Sequence, residues 1–86
     1  NTPYLRTVKS NGTSNGKVWS FNNSTTNDDL QIRGLSDNYG TSYQAYTINR
    51  SSGVISGHQF FTNELERLKI DNTNITSTLP ISVNTI

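Results

Sequence analysis

Apolar and polar residues alternate with a period of two along most of this chain, and short polar clusters interrupt the alternation at regular intervals. Tyr4 to Lys9 sets Tyr, Arg and Val against Leu, Thr and Lys, which predicts an edge strand, and Asn11-Gly12 and Asn15-Gly16 mark tight turns after it. Lys17 to Asn22 separates Val18 from Trp19 and Phe21 in a second strand. Asn22 to Asp29 contains no apolar residue and predicts a loop. Asp29 to Leu35 places Leu30 and Ile32 on one face and Gln31 and Arg33 on the other, with Ser36-Asp-Asn-Tyr-Gly40 as the closing turn. Ser42 to Asn49 sets Tyr43, Ala45 and Thr47 against Gln44, Tyr46 and Ile48, so Tyr43 and Tyr46 are expected on opposite faces. Arg50-Ser-Ser-Gly53 predicts a hairpin turn with glycine at positive φ, and Val54 resumes a strand. Thr62 to Ile70 is the one stretch with a helical alternative, from the Leu65/Leu68 spacing, but Leu68 and Ile70 favour a strand. Beyond Asn72, Ile75, Leu79, Ile81 and Val83 fall around Pro80, which confines that segment to an edge or a strand start. The expectation is an all-β fold of six or seven short strands with Trp19, Phe21, Leu30, Ile32, Ile48, Val54 and Phe60 as its core.

Taken in order, Trp19-Ser-Phe21, Leu30-Gln-Ile32, a polar turn, Ile48-Asn-Arg50-Ser-Ser-Gly53-Val54 and Glu66-Arg-Leu-Lys-Ile-Asp71 resemble the β-rich fibre modules of bacteriophage tail fibres and tailspikes. Asn74 to Val83 resembles the fibre-shaft segments that follow such modules, and the resemblance covers Lys17 to Ile86. In that family the modules often precede a self-cleaving C-terminal chaperone domain, which these residues do not contain. The resemblance implies a homotrimer carried on the virion, outside any cell, with a role in host attachment through a surface glycan or protein receptor.

Composition sharpens the need for partners. One domain of 86 residues buries only about 60% of its unfolded surface. Leu, Ile, Val and Phe number 20, little above the roughly one-fifth below which chains stay disordered. With no cysteine, neither a disulfide nor a thiolate metal site reinforces so thin a core, and oligomerisation is the remaining device. We therefore expect an antiparallel β-sandwich or β-prism-like module completed by trimerisation, with residues 1–71 as the module and 72–86 as a C-terminal strand or connector. The C-terminal strand, Leu79 to Ile86, is expected to pack on neighbouring subunits through Ile81, Val83 and Ile86, which have few local apolar partners. The start without Met and the apolar finish read as a segment of something longer.

Charge and motif content point away from other classes. Seven basic and six acidic side chains give a net charge of +1 without a basic cluster, which argues against nucleic acid. No apolar run reaches the roughly 20 residues that span a bilayer. His58, the single histidine, lacks a neighbouring nucleophile or a further ligand in sequence, and the carboxylate pairs Asp28/Asp29 and Glu64/Glu66 suit a turn cap and one strand face better than a glycosidase. Asn27-Asp28-Asp29 has oxygens suited to a hard cation, yet no metal or cofactor is expected, nor enzymatic activity. The five Asn-x-Ser/Thr sequons, at Asn11, Asn22, Asn23, Asn49 and Asn74, are near the chance number in a chain this rich in Ser and Thr.

The ligand-binding candidates are aromatic. Trp19 offers a face on which a sugar ring stacks, although its place in an alternating strand equally suits a core. Tyr39 lies in a turn, and Tyr43 and Tyr46 share a strand. Two readings follow: a structural and receptor-binding module of a trimeric fibre, or a monomeric carbohydrate-binding module of a secreted enzyme or adhesin. Stoichiometry separates them.

Overall fold

The computed structural model describes residues 4–23 and 28–82. Seven strands form one antiparallel sheet in chain order: β1 (Tyr4–Val8), β2 (Val18–Asn23), β3 (Leu30–Leu35), β4 (Ser42–Ser51), β5 (Val54–Thr62), β6 (Leu65–Asp71) and β7 (Ile75–Ser77). The all-β class is thus as the alternation predicts, and Thr62 to Ile70 is a turn followed by β6 rather than a helix.

The turns follow from their residues. Ser52 and Gly53, at φ 49° and 88°, join β4 to β5 in the doubly left-handed geometry whose twist matches a hairpin. Asn63 and Glu64 do the same between β5 and β6 at 52° and 65°, without a glycine. Glu64 therefore stands in the turn and not on the strand face with Glu66, and its carboxylate accepts a hydrogen bond from the Gln44 amide at 3.0 Å. Between β6 and β7, Asp71 Oδ1 accepts from the amides of Thr73 and Asn74, both at 2.9 Å, and these hydrogen bonds hold the carboxyl below its ordinary pKa of 3.8.

The sheet has no second layer among the described residues. Its extents are 43 × 37 × 19 Å and its radius of gyration is 15.2 Å, against about 12 Å for a compact chain of this length. This geometry overturns the expected core. Trp19, Phe21, Leu30, Ile32, Ile48 and Phe60 do share one face, but Trp19 and Phe60 keep 48% and 40% of their surface in water, and Val54 lies exposed at a hairpin tip on the other face. The buried apolar side chains among the described residues are Val18 and Leu35, paired across β2 and β3 on the opposite face. Alternation identified the apolar side of β2 and β3 correctly, but nothing among the described residues covers that side.

Residues without a cross-strand partner interrupt the register three times: Ala45 in β4, Ser56 in β5 and Arg67 in β6. Each such bulge resets which residues face which way. Ala45 is the consequential one. It places Tyr43 opposite Gly34 and Tyr46 opposite Ile32, so the two tyrosines point to the same face instead of opposite faces.

Candidate functional site

The pairings assign the paired strand residues to one of two unlike faces. One face carries Leu5 on β1, Trp19 and Phe21 on β2, Leu30 and Ile32 on β3, and Tyr43, Tyr46 and Ile48 on β4. It continues through Ile55, His58 and Phe60 on β5, Leu65, Leu68 and Ile70 on β6, and Ile75 on β7. An apolar band thus crosses the sheet from edge to edge.

Two aromatic groupings lie in this band. Trp19 and Tyr43 flank Gly34 across three adjacent strands, both about half exposed, and an indole carbon of Trp19 stands 4.0 Å from the position a β-carbon would take on Gly34. The glycine leaves a floor that the indole partly roofs. Further along, Tyr46 stacks between His58 (centroids 5.9 Å, 13°) and Phe60 (4.8 Å, 30°), and its hydroxyl hydrogen-bonds His58 Nδ1 at 2.5 Å. His58 is therefore held in an aromatic row. A depression of about 250 Å3 bounded by Asn23, Asp28, Leu30, Ile48, Arg50 and Ile55 opens on this same face near the β4–β5 hairpin.

The other face carries Val8, Val18, Leu35, Val54 and Phe61 but is otherwise polar and hydrogen-bonded within itself. Gln59 Nε2 donates to Glu66 at 2.7 Å, and Asn49 Nδ2 donates to Gln59 Oε1 at 3.2 Å and to Asp29 at 3.1 Å. Asp29 is buried, and its second oxygen accepts from the Arg50 amide at 3.2 Å. That role ties the entry of β3 to β4; Asn27, the first residue of the Asn27-Asp28-Asp29 stretch, lies outside the described residues. Among the described residues no three His, Cys, Asp or Glu side chains gather as a metal site.

Tyr39 belongs to neither aromatic grouping. The turn holding it is braced by hydrogen bonds from Tyr39 N to Ser36 O, from Ser36 N to Thr41 O, and from both Ser36 Oγ and Gly40 N to Asn38 Oδ1. These bonds fix Tyr39 at φ 62°, a left-handed conformation unusual for a bulky residue. Its ring stands 4.8 Å from the Arg6 guanidinium, which also lies 4.2 Å over Tyr4. Arg6 sits on β1, two strands from the start of this turn, so the turn folds over the polar face at the Val18–Leu35 end. Sequence reasoning named Tyr39 but missed Arg6 and Tyr4, because only the folded turn brings residues 33 positions apart together.

Of the four aromatic candidates, then, Trp19, Tyr43 and Tyr46 share the apolar face and Tyr39 stands apart. Among the described residues no helix is long and apolar enough to cross a membrane. No protein-family model, curated protein or solved structure matches this chain.

Proposed function

We propose that this chain is a structural and receptor-binding module of a trimeric viral fibre, and that copies of the chain cover one another's apolar face. One observation carries the reading: the uncovered apolar band across all seven strands. Nine large apolar side chains on that face, from Leu5 to Ile75, are between 37% and 70% exposed. At roughly 150–250 Å2 for a whole large side chain, they present roughly 700–1,100 Å2 to water. That exceeds the roughly 300–600 Å2 of the largest patch on an ordinary monomer and matches the roughly 800 Å2 each partner gives to a stable interface. The trimer and the fibre come from the resemblance of the strand motifs to tail-fibre modules, and the single-layer sheet supports them by leaving half of a core to be supplied.

The alternative, a monomeric carbohydrate-binding module, is favoured by Trp19 and Tyr43 flanking the Gly34 floor. Sedimentation velocity on the purified chain tests both readings. The fibre reading expects a species three times the subunit mass; a monomer that binds neutral oligosaccharides through Trp19 and Tyr43 would replace it with the alternative.

A further inference from the structure

We infer that the polar face holds a binding site for a carboxylate-bearing polysaccharide, built on Arg6 and Arg33. The two arginines flank Ser20 in one row across β1, β2 and β3, which sets their backbones about 10 Å apart at ordinary strand spacing. Ser20 is 1% exposed, so the row is a closed floor with a cation at each end.

Each cation is aimed by its neighbours, and neither makes an ion pair among the described residues. Arg6 lies between the rings of Tyr4 and Tyr39, which fixes the plane of its guanidinium and leaves its N–H edge without a hydrogen-bond partner among the described residues. Arg33 donates to Gln31 Oε1 at 3.1 Å and to Ser42 Oγ at 3.0 Å, neutral acceptors that orient it without discharging it. Of the acidic groups nearby, Glu64 accepts from the amide of Gln44, the residue opposite Arg33, at 3.0 Å, and the others are engaged elsewhere. Asp37, in the same turn as Tyr39, pairs with Lys17 at 3.9 Å and exchanges hydrogen bonds with Asn15, while Asp29 and Glu66 lie in the amide network on Asn49 and Gln59. Positive charge is therefore gathered at one end of a face whose net balance is nearly neutral.

A fixed, planar guanidinium matches a carboxylate with two parallel hydrogen bonds. Two of them in a flat row suit carboxylates repeated along an extended chain. The remaining lining of Asn22, Gln31 and Ser42, with the exposed ring of Tyr4, offers hydrogen bonds and stacking to sugar hydroxyls and ring faces. Two arginines are too few for the phosphate backbone of a nucleic acid, whose binding takes several neutralised phosphates. The inference deepens the receptor-binding reading and rests on it in one respect: the polar face must remain open when the apolar face is covered.

Calorimetric titration of the whole chain with oligogalacturonate, in low and high salt, tests the site, with neutral dextran oligomers and poly-glutamate as comparison ligands. Oligogalacturonate should bind, lose affinity with added salt, and weaken on the order of tenfold or more in Arg6→Ala, the worth of a lost charge-assisted hydrogen bond. Arg6→Lys should not restore it, because an ammonium cannot keep the stacked fork, and Arg33→Gln should weaken binding by a similar factor. Absence of oligogalacturonate binding, equal binding of dextran or poly-glutamate, or an unchanged affinity in Arg6→Ala would each overturn the inference. Sedimentation of the same samples separates the two claims: a monomer that binds oligogalacturonate through Arg6 keeps the site and removes the assembly, and a trimer that does not bind does the reverse.

Discussion

Phe60 lies in the middle of the apolar band and gives the proposed assembly a quantitative test. Within one chain it stacks on Tyr46 at 4.8 Å and pairs across the strands with Leu68, yet 40% of its surface stays in water. A phenylalanine side chain buries roughly 200 Å2, so about 80 Å2 remains to be covered by a neighbour, about 2 kcal/mol per subunit at 25 cal/mol per Å2. Three equivalent losses in a trimer make about 6 kcal/mol, or about four orders of magnitude in the dissociation constant of Phe60→Ala. Sedimentation equilibrium over a dilution series reads that change directly. Val54→Ala is the control, since Val54 is more exposed than Phe60 but sits at the β4–β5 hairpin tip on the other face, and surface changes of that kind stay within about 0.5 kcal/mol. If Phe60→Ala associates as tightly as the parent chain, or Val54→Ala weakens association equally, the apolar band is not the interface.

Further consequences follow from the polar face and the turns. Asp29→Ala leaves the Asn49 amide and the Arg50 N–H without their buried acceptor, and should lower stability by about 1–3 kcal/mol in chemical denaturation. Asp71, whose folded pKa lies below 3.8 because Thr73 and Asn74 hydrogen-bond the ionised form, contributes stability that is present above that value and disappears as pH falls through the folded pKa. NMR titration of its carboxyl carbon should give a midpoint below 3.8, and Thr73→Ala should move it upward. Replacing Ser52 by Asn builds the favoured Asn-Gly pair at a residue already at φ 49°, and should raise thermal stability by a few tenths of a kcal/mol to about 1 kcal/mol.

The strands were legible because each carries its own alternation: Trp19/Phe21 and Leu30/Ile32 announce which way they face without reference to any other part of the chain. The Ser52-Gly53 turn was legible for the same local reason. What escaped the sequence was non-local. Ala45 looks like any other strand residue, and only its missing partner on β3 turns Tyr43 to the side of Tyr46. The expected core failed at the same level, since periodicity states that Trp19 and Phe60 are on the apolar side but carries no information about a covering layer. The pairing of Arg6 with Tyr39 had no sequence signal either; it depends on a turn that the Asn15–Asp37 hydrogen bonds and the Ser36 contacts fold across β2.

Trp19, the single tryptophan, stands inside the apolar band, and 48% of its surface is exposed on one chain. Acrylamide quenching of its fluorescence therefore reports whether that face is covered in the native chain. Coverage by other copies predicts a blue-shifted emission that acrylamide reaches poorly, becoming red-shifted and readily quenched in Phe60→Ala at the same concentration. A Trp19 that is freely quenched in the parent chain at every concentration would contradict the account.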